Sequence, residues 1–345
     1  MGQAFVVSIF DQQLLILKIM IHWESHVCLP LHPQASFVPL ERLRAQGVHY
    51  ASVNVGMDMN PLTQILSVIA GYRATIAAHP EHFVQAHCLD DIALSRASGR
   101  LAIGFDLEGA LPLQEQPEMV ALFARMGVRQ MHFAYNRNNA VAGGCHDVPQ
   151  GLTPLGRRMV EAVNAAGVLM DCSHTGRACS LDIMAVSRHP VVFSHANPFA
   201  LVAHGRNITD EQIRACAATG GVVCVSGVSV FVGNARPAVR DVARHAAYVA
   251  ALVGVAHVGI GLDYGWSQAG LDDTPLGHFD PSYWWPRAAG YDRGIADISY
   301  VPNDAWVQLA DALQAVGMTT QDAAMVMGGN MLRVAQQVWP PGASA

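Results

Sequence analysis

The sequence is poor in charge: of 345 residues only 14% are Asp, Glu, Lys or Arg, while 51% are hydrophobic. Such a chain carries a large core, enough for one large α/β domain or two ordinary ones. It also lacks a basic excess. A net charge of −6 and a pI near 6.2 give no electrostatic case for nucleic acid or an anionic membrane as partner. Paired cysteines are missing too. The seven, Cys28, Cys88, Cys145, Cys172, Cys179, Cys216 and Cys224, are odd in number and include no CxxC spacing. That argues against a disulfide framework and for a reducing compartment, so a cytoplasmic location is expected. Nor is there an uninterrupted apolar span at the N-terminus. The run from Phe5 to Ile21 is broken by Asp11 and Lys18, with no basic leader and no small-residue cleavage site. Residues 1–20 read as an extension or lead-in. With no repeat, low-complexity tract or linker in view, residues 21–345 read as a single catalytic domain.

What the chain does have is alternation. Eight strand-like apolar runs are predicted: Ile19–Cys28, Val48–Val55, Leu101–Leu107, Val128–Tyr135, Val168–Cys172, Val191–Ser194, Gly221–Val225 and Val258–Leu262. Helical periodicity separates them, with Pro61–Ser98 long enough for one or two helices. Regular alternation on this scale predicts a (β/α)₈ TIM barrel of the metal-dependent hydrolase type. In such a barrel the chemistry sits at the C-terminal ends of the strands.

Those ends are where polar residues collect. The fifth and sixth runs both finish in a Ser-His pair, Ser173-His174 and Ser194-His195. On the first run His22, Glu24, His26 and Cys28 alternate, which puts all four on one side, His26 and Cys28 nearest the exit. The third run ends in Glu108 and the eighth in Asp263. An imidazole-rich and a thiolate-bearing group around one shared carboxylate suits two borderline-soft divalent ions, zinc first among them. Two metals with a hydroxide between them attack carbonyl or phosphoryl centres. His132, out of alternation with Phe133 and Tyr135, is expected to face outward; His146, in the Gly-rich loop, could reach the mouth but is expected to be a solvated loop histidine.

The chain resembles the membrane dipeptidase (renal dipeptidase) family of zinc metallopeptidases, in the amidohydrolase-like superfamily. The likeness is carried by Glu24-Ser25-His26-Val27-Cys28-Leu29-Pro30, Asp106-Leu107-Glu108-Gly109 and Phe133-Ala134-Tyr135-Asn136. It continues through Asp171-Cys172-Ser173-His174, Phe193-Ser194-His195, Arg206-Asn207, Gly261-Leu262-Asp263 and Met327-Gly328-Gly329-Asn330-Met331-Leu332-Arg333. The resemblance implies two Zn²⁺ ions per chain, bridged by Glu108, with His174 and His195 completing one site and His26 with Cys28 the other. It implies that Asp263 shuttles the proton of a metal-bridging hydroxide to the leaving amine, and that Arg206 binds the substrate's terminal carboxylate, for which a guanidinium fork is well shaped. The substrate would be a small molecule, a dipeptide or related amide.

Two positions depart from the pattern. Cys28 stands where the family has an aspartate; a thiolate ligand is softer and tilts that site towards zinc. Glu24, one alternate position deeper, could substitute for it as a ligand, although it stands where the family's pattern has a buried structural acid. Tyr135 stands where the mammalian members have a histidine on the scissile carbonyl; a phenol can still donate to a developing oxyanion. The long aromatic segment Tyr264–Pro302 is expected to lie over the barrel mouth and wall a substrate pocket, and the same patch suits a homodimer contact. The alternatives are another amide or lactone hydrolase on the same barrel, or a non-catalytic relative with an altered first metal site.

Overall fold

The computed structural model describes residues 20–295 and 298–340. Apart from Met20, the expected lead-in over residues 1–20 lies outside the described residues. Ten parallel strands form one curled sheet: β1 (Trp23–Cys28), β2 (Tyr50–Met57), β3 (Phe83–Gln85), β4 (Leu101–Glu108), β5 (Val128–His132), β6 (Leu169–Asp171), β7 (Val191–Phe193), β8 (Val222–Val225), β9 (Val258–Ile260) and β10 (Tyr264–Gly265). Along the sheet the order is β10-β1-β2-β4-β5-β6-β7-β8-β9, with β3 against the first half of β4. The chain just past β9 pairs with β1, Val27 opposite Tyr264 and Cys28 opposite Gly265, so the sheet meets itself. This is the predicted barrel. All eight predicted runs fall on its strands, and the three-residue β3 is one the sequence reading passes over.

The strands are apolar because both their faces are covered. β4 is buried along its whole length, and helices line the outside of the sheet, Pro154–Ala166 packing its apolar stripe against β6 and Val239–Val253 against β8 and β9. Sequence-local signals start these helices. Thr209 accepts from the Gln212 amide while the Gln212 side chain accepts from the Thr209 amide, a reciprocal cap that opens Asp210–Ala218.

The two ends of the barrel differ. At the N-terminal end, Trp23 and Tyr50 open β1 and β2 with ring centroids 3.9 Å apart, and Trp339 closes on both. The helix Asn330–Val338 adds Met331 and Val334 to this cluster and seals that end. The C-terminal end is where the buried polar residues gather.

Candidate active site

Glu108 ends β4 almost fully buried, and four imidazoles surround one of its oxygens. From Glu108 Oε1, His174 Nε2 lies at 3.1 Å, His195 Nε2 at 3.4 Å, and His26 Nε2 and His132 Nδ1 at 3.6 Å. The second nitrogen of every ring is already engaged. His26 Nδ1 donates to Asp106 (3.2 Å) and His174 Nδ1 to the side-chain carbonyl of Asn136 (2.7 Å), His132 Nε2 lies 2.6 Å from Asp171 Oδ2 as an ion pair, and His195 Nδ1 pairs with Ser194 Oγ (2.7 Å). The anchors are themselves anchored. Asp106 accepts from Ser52 and Asn54, and Asp171 from the amides of Ser173 and Ser194. Outer partners of this kind fix ring orientation and leave the inner nitrogen free to ligate.

Cys28 and Asp263 complete the rim. Cys28 Sγ lies 3.4 Å from His26 Nε2, and Asp263 Oδ1 3.9 Å from the same nitrogen, with Asp263 Oδ2 accepting from Ser226. Turning the chain here takes unusual backbone. Asn136, His174 and Asp263 all hold φ near +60°, a region non-glycine residues seldom adopt and which clusters at functional sites. Gly109, at φ +121°, lets the chain leave Glu108 where any Cβ would strike the Asp58 carboxyl. Gly261 lies so close to the Ser194 carbonyl that a side chain there would collide with it.

The electrostatics of the cluster call for added positive charge. Burial pushes Glu108 up to about 7, against the pull of His26 and His132. It raises Asp263 as well, against His26 and Arg206. Burial, with Arg206 and the neighbouring rings, holds His174 and His195 far below the usual histidine range. His26 and His132 go the other way: burial opposes their charging, but Asp106 and Glu108 for the one, and Asp171 for the other, outweigh it. Glu108 Oε1 and His132 Nδ1 are buried without a hydrogen-bond partner. Each such atom costs about 1–3 kcal/mol, and a divalent cation would satisfy them together. Three overlapping triads, His26–Cys28–Glu108, His26–His195–Asp263 and Glu108–His132–His195, hold their ligand atoms within 4.8 Å of one another. Imidazole nitrogen, carboxylate and one thiol form a donor set that fits zinc.

A cavity of about 460 Å³ opens over the cluster. His26, Cys28, Glu108, His174 and Asp263 form its floor, and Tyr135, Phe231, Trp285, Tyr291 and Tyr300 are among its walls. The last three come from the long segment after β9, which lies over the mouth as its aromatic content predicts.

The profile of one protein family, membrane dipeptidase (Peptidase family M19), matches residues 31–276. The chain belongs to this family. The matched span begins just past Cys28, and family membership implies metal use. Among curated relatives, the dipeptidase tcpJ of Claviceps purpurea (strain 20.1) is 28% identical over 300 residues, 85% of this chain and 62% of the relative. The dipeptidase aclJ of Aspergillus oryzae (strain ATCC 42149 / RIB 40) is 27% identical over 266 residues, 74% and 56% respectively. The matches to these curated relatives thus span only about three-fifths of the relatives' own length. Two solved structures share the fold. An amidohydrolase from Pseudomonas aeruginosa superposes with a TM-score of 0.80 at 24% identity, over 94% of this chain and 98% of the other. A metallopeptidase from Rhodobacter sphaeroides, liganded with a phosphinate mimic of L-Ala-D-Ala, gives 0.74 at 18% identity, over 93% and 99%.

Set against the sequence reading, His26, Cys28, Glu108, His174, His195 and Asp263 come together at one rim. Tyr135 lines the cavity and stacks on His174, ring centroids 4.3 Å apart, with its amide held by Asp58. Arg206 is buried; its guanidinium donates to the His195 carbonyl and lies over the ring of Phe231, which lines the cavity. Three expectations fail. His132 faces inward, because β5 ends at His132 and the chain turns at Asn136, so alternation cannot be counted back from Tyr135. His146 is no solvated histidine: its Nε2 meets the Tyr291 hydroxyl at 3.2 Å and its ring packs on His204. The shared side of His22, Glu24, His26 and Cys28 is broken by a register shift of β1 on β2 between Glu24 and Val27. Glu24 instead accepts from the Leu262 amide and the Trp306 indole, as a buried structural acid. Sequence alone assigns no role to the outer anchors Asp106 and Asp171, although both stand in the quoted motifs, Asp106 two residues before Glu108.

Proposed function

We propose that the protein is a two-zinc dipeptidase that hydrolyses the peptide bond of short substrates with a free C-terminal carboxylate. One observation carries the reading: four buried imidazoles turn a nitrogen each towards Glu108, and a separate partner pins every ring from behind. Glu108 is the shared carboxylate, with His174 and His195 on one side and His26 and Cys28 on the other. When bound, the zinc pair supplies an activated water and a Lewis acid for the scissile carbonyl. The chain supplies the rest. Asp263, on the cavity floor and tethered by Ser226, takes the proton of the attacking water and passes it to the leaving amine. The Tyr135 hydroxyl donates to the developing oxyanion from its seat on His174. Arg206 attracts the terminal carboxylate, its Nε a buried donor without a partner. The aromatic walls exclude bulk water while the bond is cut. Residues 21–345 are taken as one catalytic domain, acting in a reducing compartment such as the cytoplasm, in keeping with seven unpaired cysteines.

The test is a panel of dipeptides with zinc-loaded protein, run beside Asp263→Asn. Hydrolysis by the parent is expected, with a loss of at least about 10²-fold in kcat and unchanged zinc content in the variant. A zinc-loaded parent that cleaves no dipeptide overturns the peptidase reading. A variant at near-parental rate removes Asp263 from the proton path.

A further inference from the structure

The roles above leave one imidazole of the cluster without a task. We propose that His132 is itself a metal ligand, a fourth imidazole of the centre beside His26, His174 and His195. The inference rests on the two-zinc reading and extends it to a residue that the family pattern quoted above does not include.

Its position comes from register. His132 ends β5 directly opposite Glu108 at the end of β4, and both side chains are buried inside the sheet. Its ring cannot swing freely. His132 Nε2 is fixed on Asp171 at 2.6 Å, and Asp171 is held in turn by the Ser173 and Ser194 amides, which belong to the turns that present His174 and His195. With Nε2 pinned, Nδ1 faces Glu108 Oε1 at 3.6 Å, beyond hydrogen-bonding range, and both atoms are left unpartnered. A purely structural His132–Asp171 pair explains Nε2 and leaves Nδ1 as a buried polar atom with nothing to bond. A cation bound among Glu108, His132 and His195, whose ligand atoms lie within 4.8 Å of one another, accounts for both ends of the ring. The backing carboxylate is the partner that raises the donor strength of a ligating histidine.

The chemical consequence is a nitrogen-rich half-site. Glu108, His132, His174 and His195 offer three imidazoles and one carboxylate, a set suited to zinc or cobalt rather than magnesium or manganese. The other half keeps His26 and Cys28.

Two measurements decide it. In the first, His132→Asn and His132→Phe are purified, and their zinc content and affinity, and the visible spectrum after cobalt(II) loading, are compared with the parent. The ligand role predicts loss of one ion, or at least about tenfold weaker binding of it, together with an altered cobalt spectrum. Unchanged stoichiometry, affinity and spectrum in a variant, with two ions in the parent, overturn the ligand role and leave the dipeptidase reading standing. A parent that binds no ion overturns both. The second needs no variant and serves if neither one folds: a crystal structure of the zinc-loaded parent. His132 Nδ1 at about 2.0–2.1 Å from a zinc ion is expected; a nitrogen more than about 3 Å from every zinc contradicts the proposal.

Discussion

The two ends of this barrel are built from the same strands and solve opposite problems. The N-terminal end is closed by Trp23, Tyr50 and Trp339 and by the helix Asn330–Val338, an aromatic plug that contributes cohesion. The C-terminal end buries Glu108, Asp106, Asp171 and four histidines, groups that cost free energy unless each is paired or bound to a cation. One end therefore stores stability and the other spends it on a centre ready to take metal. The comparison predicts that damage at one end leaves the property of the other largely intact.

The largest effect is expected at Glu108, the one carboxylate that all four imidazoles face. Glu108→Gln keeps the shape but removes the shared anion. Bound zinc should fall from about two per chain to below one, and hydrolysis by at least about 10³-fold. A variant that keeps both ions breaks the picture of a shared ligand.

Trp23→Ala is the matching injury at the closed end. Truncating a buried tryptophan costs about 3–5 kcal/mol, read as a lower urea midpoint, while zinc content and KM stay near parental values. Loss of metal without loss of stability would mean that the two ends are not separate.

A smaller change is expected from Cys28→Asp, which restores the family's carboxylate. The first site should bind zinc about tenfold more weakly and accept manganese or cobalt more readily, since oxygen is a harder donor than thiolate. An unchanged metal preference would mean that Cys28 is not a ligand.

The smallest effect belongs to the helical belt between the ends. Burial, with Arg244 beside it, lowers His245 to about 4. A histidine whose pKa is depressed on folding contributes stability that is present above its unfolded value and lost as pH falls towards the folded one. The drop in melting temperature between pH 7 and pH 5 should therefore be smaller in His245→Gln than in the parent. An equal drop would show that His245 takes up its proton in the folded chain as readily as in the unfolded one.

Much of this was legible in the chain. The barrel strands are covered on both faces, so each appears as an apolar run, and chemistry at one end of such a run leaves a polar residue at its close: Glu108, His174, His195, Asp263. The misreadings share a cause. Counting by twos works only while a strand is regular, and it fails at the β1 register shift that separates Glu24 from His26 and at the turn after His132. Asn136 is harder to foresee. Its part depends on a positive φ that aims its amide at His174 Nδ1 and at the Trp284 carbonyl, and no local spacing announces that. Short β3 left no signal, because three residues between two helices carry no period.

Elemental analysis of protein purified without chelator tests the central claim most directly. The account predicts close to two zinc ions per chain, released together with activity on chelation. A chain that holds essentially none, and regains none with added zinc, would contradict it.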